Sequence, residues 1–200
     1  MQRLYRGVVW RMDPSSKAVY LTFDDGPIPQ CTPQVLDILH QYNVKATFFM
    51  VAENAERYPQ LLARVRADGH AVGNHTYHHM RGCQSCTHDY IADVQHAAQL
   101  LQTDLFRPPH GRMRRTQKKA LLQAGYNIYL WDVLTHDYNP SYSVEKMLSV
   151  VKRYTRNGSI IVLHDSLKSR DRMLHLLPLI IKWLQSEEYE LKTLSTASYI

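Results

Sequence analysis

Cysteine, glycine and proline are all scarce in this chain of 200 residues, at 3, 8 and 9. So little glycine and proline excludes a collagen-like or low-complexity chain. No apolar run nears the ~18 residues that span a bilayer. The longest, Leu174 to Leu184, is broken by His175, Pro178 and Lys182. The opening stretch MQRLYRGVVWRMDPSSK has no apolar core of ~7–15 residues and no small-residue cleavage site, so no export signal is read there. Three cysteines, Cys31, Cys83 and Cys86, are an odd number and argue against a disulfide framework. Cys83-Gln84-Ser85-Cys86 has zinc or redox spacing, but no second such pair accompanies it. Thr87 rather than His follows it, which excludes haem attachment, and the segment reads as a plain loop. Neither GxGxxG nor a P-loop is present, so a nucleotide site has no local support. Basic residues form no long block. The densest cluster, Arg112 to Lys119, reads as a solvated helix start, and nucleic acid is not an expected partner.

What is there is the composition of a globular domain, 44% hydrophobic and 21% charged. The length suits a single domain, residues 1–200, with a substantial core. A net charge of +6 leans toward acidic partners such as cell-wall polymers. Along the chain, strand and helix patterns alternate. Lys17–Phe23 reads as a strand, and TPQVLDILHQYN then carries Val35, Leu36, Leu39 and Tyr42 at helical spacing. Thr32 is placed to cap that helix and Pro33 suits its first turn. Strands follow at Ala46–Val51, His70–His75, Tyr126–Trp131 and Ser159–His164. Helices are expected over Tyr58–Asp68, Asp89–Leu105, Arg115–Ala124, Ser143–Arg156 and Arg172–Glu188. Pro178 either starts the regular part of the last helix or kinks it. This alternation predicts a parallel sheet with helices outside, either a small or incomplete barrel or an open doubly wound sheet.

The unusual polar residues gather at the carboxyl ends of the predicted strands. Asp24 and Asp25 close the first in TFDDGP, His75 the third, and His164 and Asp165 the last. Asp132 and Asp137 follow the Tyr126 strand, and Arg107 lies in a proline-rich segment that replaces a regular strand. In a parallel α/β protein those ends form one face, where ligands bind. Asp25-Gly26-Pro27 is also a turn signal. Neighbouring side chains of an extended strand point to opposite faces, so Asp24 and Asp25 reach one site only if the chain bends there. In HTYHH, His75 and His79 are spaced i, i+4; a helical turn would put both imidazoles on one face, with an i, i+3 pairing of His75 and His78 as the alternative. Two histidines and one carboxylate suit a catalytic cation with open positions.

In that order TFDDGP, HTYHH, FRPPHG, WDVLTHDY and IVLHDS resemble the five motifs of the NodB-type polysaccharide deacetylases, carbohydrate esterase family 4. The resemblance runs from about Tyr20 to Leu194 and implies a distorted (β/α) barrel of about seven parallel strands. It implies Asp25, His75 and His79 as ligands of a divalent metal, zinc before cobalt or another ion. It implies Asp24 as general base, Arg107 as the residue that orients it, His164 as general acid and Asp137 as the acid that holds His164. The His110 N–H falls where the family has an oxyanion donor, and Tyr138 where many members have a tryptophan lining the acetyl pocket. Leu134 replaces an acid of the fullest fourth motif, and His110 stands where tyrosine is common; these departures bear on substrate fit.

The resemblance implies removal of N-acetyl groups from N-acetylglucosamine-containing chitin- or peptidoglycan-type glycans. An acetylxylan-type O-acetyl esterase is one alternative. A non-catalytic carbohydrate-binding pseudoenzyme is the other, opposed by the full set of implied catalytic residues. Without a visible signal the expected location is cytoplasmic, with the cell envelope as the alternative for a polymer substrate.

Overall fold

The computed structural model describes residues 7–195. Helices and strands alternate: β1 (Ala18–Asp24), α1 (Thr32–Gln41), β2 (Thr47–Met50), α2 (Ala52–Arg57), α3 (Pro59–Ala67), β3 (Ala71–Asn74), α4 (Thr87–Leu101) and β4 (Leu105–Phe106). They continue with α5 (Arg115–Gln123), β5 (Asn127–Ile128), β6 (Val133–Leu134), α6 (Val144–Tyr154), β7 (Ile160–His164), α7 (Arg170–Ser186) and β8 (Glu190–Leu191). The sheet order is β5-β4-β3-β2-β1-β7-β6, with β8 beside the start of β1. Each ladder is parallel. Seven strands curl into an incomplete barrel with helices outside, as the alternation predicts.

Strand β1 is the centre, and all seven of its residues are buried. Its alternation sorts them. Val19, Leu21 and Phe23 pack outward into the main core with Val35, Leu36 and Leu39 of α1 and Leu177 and Ile181 of α7. Ala18 and Tyr20 join an inner cluster with Phe49, Leu105, Tyr129 and Ile160. Thr22 and Asp24 continue that inner face toward the carboxyl end, where both meet Arg107. Burying each large apolar side chain contributes about 1.5–3 kcal/mol, so the strand order is fixed by the core while its polar end is left for chemistry.

The barrel is not closed by a ladder between β5 and β6. The N-terminal segment bridges the seam instead: Val9 pairs with Tyr129 and Arg11 with Ser159. The Val9 N–H donates to Ile128 O at 2.9 Å, Leu130 N–H to Val9 O at 2.8 Å, and Met12 N–H to Gly158 O at 2.8 Å.

Several local expectations change. The Tyr126–Trp131 strand shrinks to Asn127–Ile128, because the Tyr129 N–H is the last to donate to β4, at Phe106 O, and the Leu130 N–H turns to Val9. Thr32 is not the cap of α1; Cys31 holds that position, and the Thr32 hydroxyl donates to Asp165 at 2.7 Å. Helix α2 was not foreseen, since it buries only Ala52 and Ala55 and carries almost no hydrophobic period. Helix α4 starts at Thr87, capped by the Cys86 sulfur, and stops at Gln102 in a left-handed conformation with φ 44°. Cys31, Cys83 and Cys86 are all free thiols. Pro178 sits inside a helix that runs from Arg170 to Ser186.

Candidate active site

Asp24 and His164 end neighbouring strands at the same level, paired in the β1–β7 register. Asp25 follows Asp24 with φ 81°, so the chain leaves the extended conformation there. That turn brings the second carboxylate round toward the site. Its scaffold is Asp165, whose buried carboxylate accepts the Gly26 N–H at 3.0 Å and the Thr32 hydroxyl. The Asp165 N–H in turn donates to Asp24 O at 3.0 Å. A Cβ on Gly26 would lie 2.0 Å from Asp165 Oδ2, so glycine is required by close approach. Burial pushes the Asp165 carboxyl up to about 8.

The HTYHH segment is a loop rather than the helical turn one reading of its spacing required. Thr76 has φ 67° and His79 φ 54°. Asn74 Oδ1 accepts the Thr76 N–H at 2.8 Å, and the Thr76 hydroxyl accepts the Met80 N–H at 2.9 Å. Asp93, buried on α4, accepts the N–H groups of Tyr77 and His78 and bonds the His78 ring at 2.5 Å. His78 is thereby turned away, and His75 and His79 converge on Asp25. His79 Nε2 lies 3.2 Å and His75 Nε2 3.7 Å from Asp25 Oδ1.

Asp25, His75 and His79 present ligand atoms within 4.8 Å of one another. His75 Nδ1 bonds the Arg107 carbonyl at 2.8 Å, so it carries the proton and leaves the Nε2 lone pair facing the site. Burial lowers the His75 pKa to about 4, keeping the ring neutral. Burial alone would raise the Asp25 carboxyl, but His79, His164 and His75 together hold it well below the usual range. The neutral His75 imidazole, the His79 imidazole and an ionised Asp25 carboxylate fit a divalent cation.

Arg107 is fully buried. Nη1 donates to Asp24 Oδ1 at 2.7 Å and to the Thr22 hydroxyl at 2.8 Å. Nε and Nη2 donate to the carbonyls of Tyr129 and Leu130 at 3.3 and 3.1 Å. The guanidinium also lies 4.1 Å from the Phe49 ring centroid. On the opposite side buried Asp137 holds His164 twice, through its N–H at 2.7 Å and through Nδ1 at 2.8 Å. Burial works against the charged His164 ring, but the Asp137 bond outweighs it and the pKa is pushed up to about 9.

A cleft of about 470 Å³ exposes Asp24, Asp25, His75, His79 and His164 together. His110 and Tyr138 border it. The His110 N–H donates to no protein acceptor among the described residues, and its ring stands 4.9 Å from that of His79. The Tyr138 ring meets His164 edge-on at 5.2 Å. Arg107 and Asp137 sit just behind the lining. Asp132, also noted at a strand end, instead braces the seam by accepting from Ser159 and Ile160. Sequence reading passed over Asp93, Asn74 and Trp131, whose roles depend on contacts between distant segments.

The sequence and the fold match known proteins. Residues 11–129 match the polysaccharide deacetylase family. A peptidoglycan-N-acetylglucosamine deacetylase of Bacillus cereus is 34% identical over 196 residues, covering 94% of this chain and 91% of that protein. A chitooligosaccharide deacetylase of Bradyrhizobium sp. is 33% identical over 198 residues, covering 90% of each. A crystal structure of a peptidoglycan N-acetylglucosamine deacetylase superposes with a TM-score of 0.88 at 30% identity, covering 96% of this chain and 92% of that one. The chain belongs to the polysaccharide deacetylase family, the carbohydrate esterases of family 4.

Proposed function

We propose that this protein is a metal-dependent hydrolase that removes N-acetyl groups from N-acetylglucosamine-containing oligo- or polysaccharides. The observation that carries the reading is one cleft in which an Arg107-held Asp24 and an Asp137-held His164 face the Asp25, His75 and His79 donors. Zinc is the expected ion, and a divalent cation held there supplies a more acidic water and a polarised acetyl carbonyl. Asp24, fixed by Arg107, takes the proton of the attacking water. The His110 N–H, which has no acceptor among the described residues, donates to the oxygen that gains negative charge. His164, kept protonated by Asp137, delivers its Nε2 proton to the departing sugar amine. Tyr138 and Leu134 border the acetyl end of the cleft. Base and acid are thus held by different partners, Arg107 and Asp137.

The test is acetate release from chitooligosaccharides, peptidoglycan and acetylxylan, with chelator and with added zinc. Zinc-dependent release from the N-acetylated glycans is expected. Release from acetylxylan alone would make the protein an O-acetyl esterase. No release from any, with metal bound, would make it a binding protein.

A further inference from the structure

A second cavity, of about 380 Å³, adjoins the catalytic cleft. Arg81 and His110 line both and form the partition between them. Arg112 lines the second cavity alone, and no carboxylate lines it. Among the described residues neither Arg81 nor Arg112 forms an ion pair. Arg81 Nε donates to His110 Nε2 at 3.2 Å, leaving its other N–H groups for the cavity. Both arginines are exposed, and two guanidiniums beside one hollow give an anion a pair of planar donors.

The walls are held in place. Gln117, buried on α5, donates to the carbonyls of Gly82 at 2.9 Å and Ser85 at 3.3 Å, and accepts the Arg114 N–H at 2.7 Å. The Arg114 guanidinium donates to the Cys83 carbonyl at 3.2 Å. The turn that carries Arg81 is therefore tied to the segment that carries Arg112. Such preorganisation favours binding, since little ordering is left to be done by the ligand.

We propose that this cavity is a subsite for a carboxylate carried by the sugar next to the one that is deacetylated. The inference rests on the deacetylase reading of the cleft. Chitin-type glycans are neutral and give the arginines no partner. Peptidoglycan alternates N-acetylglucosamine with muramic acid, whose lactyl group or attached peptide bears carboxylates. The subsite thus selects an acidic glycan over a neutral one, and Arg112 determines that selectivity.

The test uses a tetrasaccharide of alternating N-acetylglucosamine and N-acetylmuramic acid with free lactyl carboxylates, its uncharged carboxamide, and chitotetraose. Acetate release from chitotetraose tests the deacetylase reading by itself. The ratio of kcat/KM on acid to amide tests the subsite. We expect the native protein to favour the acid by about tenfold at low salt, and the gap to narrow as salt rises. Arg112→Gln should bring the ratio near one, and Arg112→Glu should invert it. If no glycan is turned over, the same acid and amide are compared by calorimetric binding to the native protein and to Arg112→Gln. Equal treatment of acid and amide by the native protein, or a ratio unmoved in Arg112→Gln, overturns the proposal. A peptide-bearing form of the tetrasaccharide identifies the source: preference kept there assigns the peptide carboxylates, preference confined to the free acid assigns the lactyl group.

Discussion

The guanidinium of Arg107 and the carboxylate of Asp24 lie 2.7 Å apart, the first wholly buried and the second open only to the cleft. Each is the other's neutralising partner. Removing the arginine leaves a buried charge unpaired and strips the donors from the Tyr129 and Leu130 carbonyls. Arg107→Met should cost about 3–5 kcal/mol of stability as well as activity. Urea denaturation reads the first, and a loss below about 1 kcal/mol would contradict the pairing.

Asp24→Asn is the complementary change. It keeps the shape and leaves Asp25, His75 and His79 untouched. Zinc stoichiometry should stay native while turnover falls by about 10²–10⁴-fold, the range for loss of a general base. Asp25→Ala should lose both, and chelator should reproduce its effect on the native protein. Normal zinc content in Asp25→Ala, measured by atomic absorption, would remove that residue from the ligand set.

The His164–Asp137 pair sets a pH dependence. The His164 pKa is raised from 6.5 to about 9, so its proton is present at neutral pH and lost as pH rises through about 9. The kcat profile should therefore fall on an alkaline limb near that value. The stabilising charge pair is fully present below about 6.5 and disappears over the same rise, so thermal stability should decline there too. Asp137→Asn should move the limb toward the ordinary histidine value. A limb that stays in place in that variant would show that another group sets it.

Gly26→Ala tests the turn that separates the two carboxylates. The added methyl would stand 2.0 Å from Asp165 Oδ2, and the buried aspartate has no room to retreat. We expect a loss of about 2 kcal/mol or more, together with weaker zinc binding. In Gly26→Ala/Asp165→Ser the steric part is relieved, so the double variant should be more stable than the sum of the two single changes. Simple additivity in a thermal denaturation series would count against the contact.

Much of this was legible because strand ends are legible. The alternating run of β1 ends at Asp24, and the unbroken apolar run of β7, Ile160 to Leu163, ends at His164, which the strand register sets beside it. Arg107 is exceptional by type, an arginine between strand and prolines. What the chain alone does not reveal is tertiary in origin. The histidine loop has helical spacing but not helical form, because Asp93, fifteen residues beyond His78, takes up its backbone N–H groups. Cys31 rather than Thr32 holds the N-cap position of α1, with no side-chain cap bond, and the Thr32 hydroxyl instead accepts the Ile28 N–H and donates to Asp165, 133 residues away. Strands β6 and β8, of two residues each, are too short to carry any period.

The seam between β5 and β6 gives Arg107 a second employment. Where a closed barrel would place a neighbouring strand, the guanidinium supplies N–H donors to Tyr129 and Leu130. The same group fixes Asp24, the proposed base. Inactivation by drift is therefore obstructed at this position. A descendant that discarded the base would strand a buried cation in its own wall, and one that discarded the cation would open the wall. Loss of the proposed activity meets less resistance at His79, which bears on Asp25 and on no carbonyl of the seam.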